Sequence, residues 1–480
     1  MGGALTLMKR LVCVSSILLC ATFAFYSCGG GGESGTKDNT GGGNTGPVDT
    51  SNMWTWVAGS NEINTAAVFG TKGTANPANN PGGFSGSVVG TDSSGNVWIF
   101  GGKKSGVQYL NTLWKFDGTN WTWVSGSDTI NQPGVYGTKG VADSENCPGS
   151  RYEGLCWIDS SGNIWIFGGY GYDSAGTLGN LNDLWKFDGT NWTWISGSDT
   201  INQPGVYGTK GVADPGNYPG TRRQSTGFMD SSGNFWLFGG YGCDSTTYAI
   251  DNNVDLYLND LWKFDGTNWT WVSGSEFRNI NGVYGTKGVA DAANYPGSRR
   301  NCVGWLDSSG NIWIFGGYGY DDFITNHNPD ALNDLWKFDG TNWTWVKGSN
   351  ENYTEDTVRG VYGEMGVAAA DNTPVQRQGS IGWLDSSDNL WLFGGVLGGR
   401  YNDLWKFDGT NWTWMSGSSS TNQTGTYGEM GTAASDNMPG ARYGSVSWID
   451  SSGNLYFYGG YGYAETTSLG CLGDMWKYEP

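Results

Sequence analysis

Asp159-Ser-Ser-Gly-Asn-Ile-Trp-Ile-Phe-Gly168-Gly169 is the stretch that decides the fold. The same nine-residue step from an aspartate to a double glycine recurs from Asp92 to Gly101, Asp230 to Gly239, Asp307 to Gly316, Asp385 to Gly394 and Asp450 to Gly459. One supersecondary unit is therefore repeated six times along 480 residues. What every copy shares reads as scaffold. What one copy has alone is a candidate for a site.

Around this stretch, Arg151 to Ile158 reads as a first strand, a. Asp159 to Asn163 is a turn, in which the glycine supplies positive φ and the aspartate can bond the turn backbone. Ile164 to Phe167 is strand b, Leu184 to Phe187 strand c and Trp192 to Ile195 strand d, with Asp188 to Asn191 as the second turn. Four short antiparallel strands joined by tight turns form a meander. Such a sheet cannot bury both faces alone, but copies packed around an axis can.

The double glycines, the aromatic after them (Tyr170, Tyr241, Tyr318, Tyr461) and the Trp pairs such as Trp185 and Trp192 resemble the kelch-repeat β-propeller family. The resemblance covers roughly residues 54–480. It implies an all-β, six-bladed, galactose-oxidase-like propeller of four-stranded antiparallel blades. Successive double glycines lie 65 to 78 residues apart, against roughly 50 in an ordinary kelch unit, so the excess lies in loops. Met53 to Val57 matches strand d with no a, b or c before it, and the last copy, Arg442 to Tyr478, lacks a d strand. The N-terminal strand is therefore expected to complete the last blade and remove an open edge.

Composition agrees with a β protein: 82 glycines for turns and 15% aromatics, 27 of them Trp. A net charge of −19 argues against nucleic acid, whose phosphates need a basic patch. Lys9-Arg10, the apolar run Leu11 to Phe25 and Cys28 resemble a bacterial lipoprotein signal. Residues 1–28 are read as that signal, 29–50 as a flexible Gly-rich tether and 51–480 as the propeller. Phe25 stands where such signals usually hold Leu or Val, which keeps ordinary secretion as the alternative. The expected location is the bacterial cell envelope, with a lipid on Cys28 as the membrane contact and a monomeric propeller. Of the remaining cysteines, Cys147 and Cys156 are the one sequence-close pair to consider for a disulfide.

The d-to-a and b-to-c loops belong on one face of such a ring. The d-to-a loop repeats its own text, Gly-Val-Tyr-Gly-Thr-Lys-Gly, and reads as structural. The b-to-c loops differ in length and sequence from copy to copy and are longest in the third and fourth, and variable loops on a rigid scaffold are where binding usually lives. Tyr241, Asp244, Tyr248 and Asp255 lie in one of them; Tyr318, Tyr320, Asp321, Asp322, Phe323 and His327 lie in the next. Tyrosine with acidic and amide groups suits sugar recognition by stacking and hydrogen bonding. Unconstrained loop drift is the bland alternative.

Arg151, Arg222, Arg299, Arg377 and Arg442 open strand a in five copies, with Phe84 in the first. Converging guanidiniums could form a carboxylate or phosphate receptor. A residue repeated in this way reads first as scaffold, with Asp143, Asp214, Asp291, Asp371 and Asp436 shortly before them as partners. With His327 as the one histidine, an imidazole copper site or a His-containing triad cannot be assembled, and no cofactor is expected. The expected function is binding of a glycan or a protein partner. A metal-independent enzyme resembling kelch-type sialic-acid mutarotases, with Glu153 moving protons, is the runner-up. A structural envelope or adhesion role is the third reading.

Overall fold

Each a-to-b turn is built by its aspartate. Asp159 Oδ1 accepts from the N–H groups of Ser161 and Asn163, and Oδ2 from the Asn163 amide and the Trp165 indole. The same set recurs at Asp92, Asp230, Asp307 and Asp385. A carboxylate saturated in this way closes the hairpin and aims the first Trp of strand b.

The computed structural model describes residues 49–246, 256–322, 328–351 and 360–480. Cys28 with the leader, and Tyr248, Asp255, Phe323 and His327, lie outside the described residues. The described chain is all β, and Thr50–Pro480 forms one unit. Antiparallel sheets are arranged as a β-propeller. Among the described residues, six sheets have four strands or more, and two short ribbons complete the set.

In the second copy, strand a is broken into Arg151–Tyr152 and Leu155–Ile158, where a single strand was expected. Glu153 sits between them at φ 57°, in the left-handed region, and interrupts the ladder. Strand b runs Ile164–Tyr172 and strand c Leu178–Phe187, both longer than the sequence suggests. They continue past the double glycine through a register shift between Phe167 and Gly169. Strand d is Trp192–Ser196, with Trp185 opposite Trp194.

The hydrophobic core lies between sheets rather than within one. A strand-b ring of each copy meets the first Trp of strand d in the next. The pairs are Phe100 with Trp192, Phe167 with Trp269, Phe238 with Trp343 and Phe315 with Trp412, at 5.3 to 5.6 Å. Phe393 then meets Trp54 at 5.4 Å, and Tyr458 returns to Trp121 at 5.5 Å. Trp54 belongs to the N-terminal strand Met53–Ile63, which pairs antiparallel with Leu469–Glu479, Trp54 opposite Tyr478 and Trp56 opposite Trp476.

The repeated d-to-a loop covers the outer edge of the next sheet. Ala142–Asp143 pairs with Trp192 and Thr193, Asp214 bridges to Trp269 and Asp291 to Trp343. Lys139 Nζ lies 4.2 Å over Trp194 and donates to the Gly197 carbonyl. Exposed edge backbone is thereby covered. All five described cysteines are free, so the Cys147–Cys156 disulfide is not formed; the Asn111 amide stands 3.4 Å from Cys147 Sγ. Burial pushes the Cys156 thiol up to about 12.

Two outcomes are expected. Removing Met53–Ile63, or truncating Trp54 to Ala at about 3–5 kcal/mol, lowers the melting temperature; an unchanged melt contradicts closure by this strand. Burial alone would raise the turn carboxyls, but the indole, amide and backbone donors hold Asp92, Asp159, Asp230, Asp307 and Asp385 below their usual range. Their contribution is complete above the unfolded value of about 3.9 and drains as pH falls through the lower folded values. Thermal melts from pH 7 to pH 2 therefore decline below about pH 4; a melt that improves on acidification contradicts this.

Candidate functional site

The five strand-a arginines are buried at 2% exposure or less, and their donors are committed. Arg222 Nη1 and Nη2 donate to the two oxygens of Asp260 at 2.8 Å, Nη1 also to the Gly239 carbonyl and Nε to Gly220. The same fork joins Arg151 to Asp183, Arg299 to Asp334, Arg377 to Asp403 and Arg442 to Asp474. These arginines are therefore scaffold and not a receptor. Their partners are the aspartates two residues before the strand-c Trp, not Asp143, Asp214, Asp291, Asp371 and Asp436. Tyr207 O–H donates to the same Asp260 oxygen, and the Trp262 indole donates there too. Burial, then the neighbouring carboxylate, holds the Tyr207 phenol well above its ordinary value.

The first copy lacks all three charged or phenolic members at once. Phe84 replaces the arginine, Thr112 the aspartate and Phe69 the tyrosine. Phe69 packs 5.3 Å from Trp114, and Phe84 and Thr112 are each 2% exposed. A buried pair can be exchanged whole for apolar groups, whereas removing one member strands a charge.

Above this layer, the d-to-a and b-to-c loops meet on one face. The Gly205 N–H donates to the Asp244 carbonyl and the Gly282 N–H to that of Asp321. Asp244 is buried; its carboxylate accepts from the Thr246 and Arg278 backbones and lies 3.9 Å from the Arg278 guanidinium. Asp244 and Asp321 thus sit buried at the loop junction instead of facing a ligand. Tyr320 is also buried, against Tyr257. Asp322 is half-buried, near the Asn350 amide.

Tyr241 and Tyr318 are half-buried and belong to a rim of tyrosines interleaved with cations. Arg223 lies 4.4 Å over Tyr170 and 5.1 Å over Tyr241. Arg300 stands 5.3, 5.5 and 5.4 Å from Tyr241, Tyr257 and Tyr318. Arg400 covers Tyr443 and Tyr461, and Lys103 covers Tyr152. These cations concentrate positive charge at one place on an acidic protein.

Inside the rim, one residue from each copy turns toward the axis: Gly86, Glu153, Gln224, Asn301, Gly379 and Gly444, at φ 53° to 68°. Each N–H donates to the carbonyl of the residue from the preceding copy, and Gly86 donates to Gly444, so the bonds close on themselves. These residues line an axial cavity of about 200 Å³. Glu153 Oε2 is closed off from solvent and without a hydrogen-bond partner. Burial raises the Glu153 pKa; Arg223, a hydrogen bond from Gln224, then Arg300 and Lys103 pull against it.

Sequence reasoning passed over Arg223, Arg300, Gln224 and Asn301. The signal was present: Arg223 and Arg300 follow the scaffold arginine in two copies, where the others hold Ser85, Tyr152, Gln378 and Tyr443.

Among the described residues, no three His, Cys, Asp or Glu side chains gather to hold a metal ion. No protein-family model matches the chain, and no curated protein matches it. The solved structure of YjhT is 12% identical and covers 82% of this chain and 95% of its own, with a TM-score of 0.46. A novel fungal alcohol oxidase with catalytic diversity among the AA5 family, in complex with copper, is 13% identical over 86% of this chain and 76% of that one, with a TM-score of 0.41. At these values neither likeness bears on the site.

The buried quartet makes a direct prediction. Arg222→Met alone costs about 3–5 kcal/mol, because Asp260 is left buried and unpaired. The triple change Tyr207→Phe, Arg222→Phe and Asp260→Thr, which copies the first repeat, recovers most of that loss in denaturant melts. A triple variant as unstable as the single one contradicts the account.

Proposed function

We propose that this protein is a six-bladed, kelch-like propeller that binds carbohydrate at the axial mouth, on the face carrying the long loops. The observation that carries the reading is the rim. Tyr152, Tyr170, Tyr241 and Tyr318 are half-buried, so each keeps some ring surface accessible. Sugar rings stack on such surfaces, and guanidiniums donate to hydroxyls and to acidic substituents. Cation–π contacts worth about 0.5–2 kcal/mol each hold the arginines in place before a ligand arrives. Pre-organised donors reduce the ordering cost of binding. A recessed polar mouth suits a glycan better than a flat protein partner does.

A second reading has one observation in its favour. Glu153 is a carboxyl whose pKa burial raises, beside Arg223 and Arg300. A carboxyl whose proton affinity burial raises can exchange protons with a bound sugar, as a mutarotase-like enzyme requires. Export, a lipid on Cys28 and a monomeric state belong to the same proposal; mass spectrometry of the mature N-terminus reports on the lipid.

A glycan array with residues 51–480 tests the binding reading. Wild-type protein is expected to retain at least one glycan class, and Tyr241→Ala with Tyr318→Ala to weaken it at least tenfold, about 1.4 kcal/mol. An array without binding, or an unaffected double variant, contradicts it. Anomeric exchange of a sugar acid, followed by NMR, accelerates under the second reading and slows to the buffer rate in Glu153→Gln.

A further inference from the structure

We infer that the outer edge of the propeller carries two equivalent sites for neutral hexose units, one where the second copy meets the third and one where the third meets the fourth. They share no residue with the axial mouth and go beyond the reading given for it.

Each site is built on the second Trp of strand d. The Trp194 indole donates to the Ser196 carbonyl at 2.8 Å, and the Trp271 indole to that of Ser273 at 2.9 Å. Tyr136 and Tyr207 meet these rings edge-on at 5.1 and 5.2 Å. Both indoles are thereby fixed in orientation, and both are half-buried. Lys210 Nζ lies 4.2 Å over Trp271 and donates to the Gly274 carbonyl, as Lys139 does over Trp194. A cavity of about 670 Å³ opens beside Trp194 and one of about 500 Å³ beside Trp271. Both fall within the roughly 300–1,000 Å³ of small-molecule pockets.

One position confines the sites to these two junctions. The residue before the last proline of the d-to-a loop is Asn80, Cys147, Tyr218, Tyr295, Thr373 and Met438 in the six copies. Tyr218 and Tyr295 alone supply an aromatic wall, the first to the larger cavity and the second to the smaller. Both are half-buried, and neither phenol is committed to a hydrogen bond among the described residues. Phe277, at the lip of the smaller cavity, is 50% exposed where the copy before holds Thr200. An exposed phenyl ring does nothing for the core, but beside a cavity it offers a stacking surface.

Charge decides the class of ligand. The charged side chains in each lining are one lysine and one carboxylate, Lys139 with Asp199 and Lys210 with Glu276. Burial pulls both ammonium groups down, and the carboxylates hold against it. The cavities are thus balanced, unlike the cationic rim, and suit a neutral polar ligand. Serine hydroxyls and the free phenols exchange hydrogen bonds with sugar hydroxyls, while the rings take the apolar face of a hexose. An extended peptide would need open backbone partners on this edge. The d-to-a loop already takes them, Ala142–Asp143 on Trp192 and Thr193, and Asp214 on Trp269.

The test uses Tyr218→Thr, Tyr295→Thr, the two together, and Phe277→Thr. Each replacement is one that another copy already holds, at Thr373 or Thr200, so the variants are expected to fold. Phe277→Thr removes an exposed ring and keeps the test open even if a tyrosine variant unfolds. The probes are glucose, galactose, mannose and cellohexaose, with a synthetic oligoproline peptide as the other class, read by saturation-transfer NMR and calorimetric titration. At least one saccharide is expected to bind at two sites per chain. Each tyrosine variant leaves one site, the double variant leaves none, and Phe277→Thr weakens one site at least tenfold. Tyr241→Ala with Tyr318→Ala, at the axial mouth, leaves this binding unchanged. Saccharide binding that survives the double variant, or that is lost with the axial pair instead, overturns the edge sites while leaving the rim reading intact. So does the absence of neutral saccharide binding, or oligoproline binding in its place.

Discussion

Six peptide hydrogen bonds running head to tail around the axis are the constraint on which this molecule depends. Each joins one copy to the next through Gly86, Glu153, Gln224, Asn301, Gly379 and Gly444, and the last returns to the first. A residue can hand its N–H to one neighbour and its carbonyl to the other only if the strand breaks, hence the left-handed φ at every one of them. The double glycines follow from the same geometry. A Cβ on Gly239 would stand 2.8 Å from the Arg299 carbonyl of the next copy, and one on Gly240 would meet the Arg223 carbonyl at 2.8 Å. Aromatic packing between sheets then inherits the closure. Phe393 reaches Trp54 because Met53–Ile63 has joined Leu469–Glu479.

Charge is distributed in two registers. Buried, bidentate Arg–Asp forks lock five copies internally, each with a phenol and an indole on the same carboxylate. Their net stabilisation is small by comparison with the penalty for leaving one half. The first copy shows that an apolar version fills the same volume with Phe69, Phe84 and Thr112. The second register is on the surface. Arg223, Arg300, Arg400 and Lys103 gather at the mouth of a protein of net charge −19, a local field of opposite sign to the rest of the molecule.

Much of the scaffold was legible because repetition replaces an alignment. The turn aspartates, the double glycines and the N-terminal strand could be placed from spacing alone. The strand-a break left its trace only in Gly86, Gly379 and Gly444, the glycines at this position in three copies; at Glu153 the axial hydrogen bond sets the φ and the residue type does not announce it. The partner of each arginine was misread for a similar reason. Asp214 is closer in sequence to Arg222, but strand c brings Asp260 within 2.8 Å across the sheet. Tyr241 and Tyr318, singled out from loop variation, lie half-buried among the tyrosines and cations of the rim. Asp244 and Asp321 could not be told from ligand-facing groups, since the loop junction they serve exists only in three dimensions. Arg223 and Arg300 directly follow the repeated Arg222 and Arg299, and only the fold separates a buried guanidinium from one at the rim.

Native-state hydrogen exchange at the six axial amides measures the central claim most directly. If closure carries the structure, Gly86, Glu153, Gln224, Asn301, Gly379 and Gly444 all exchange through global unfolding, with one common free energy and one common denaturant dependence. Exchange of any of these amides by local opening, at a free energy well below that of the inter-sheet core, would contradict the account.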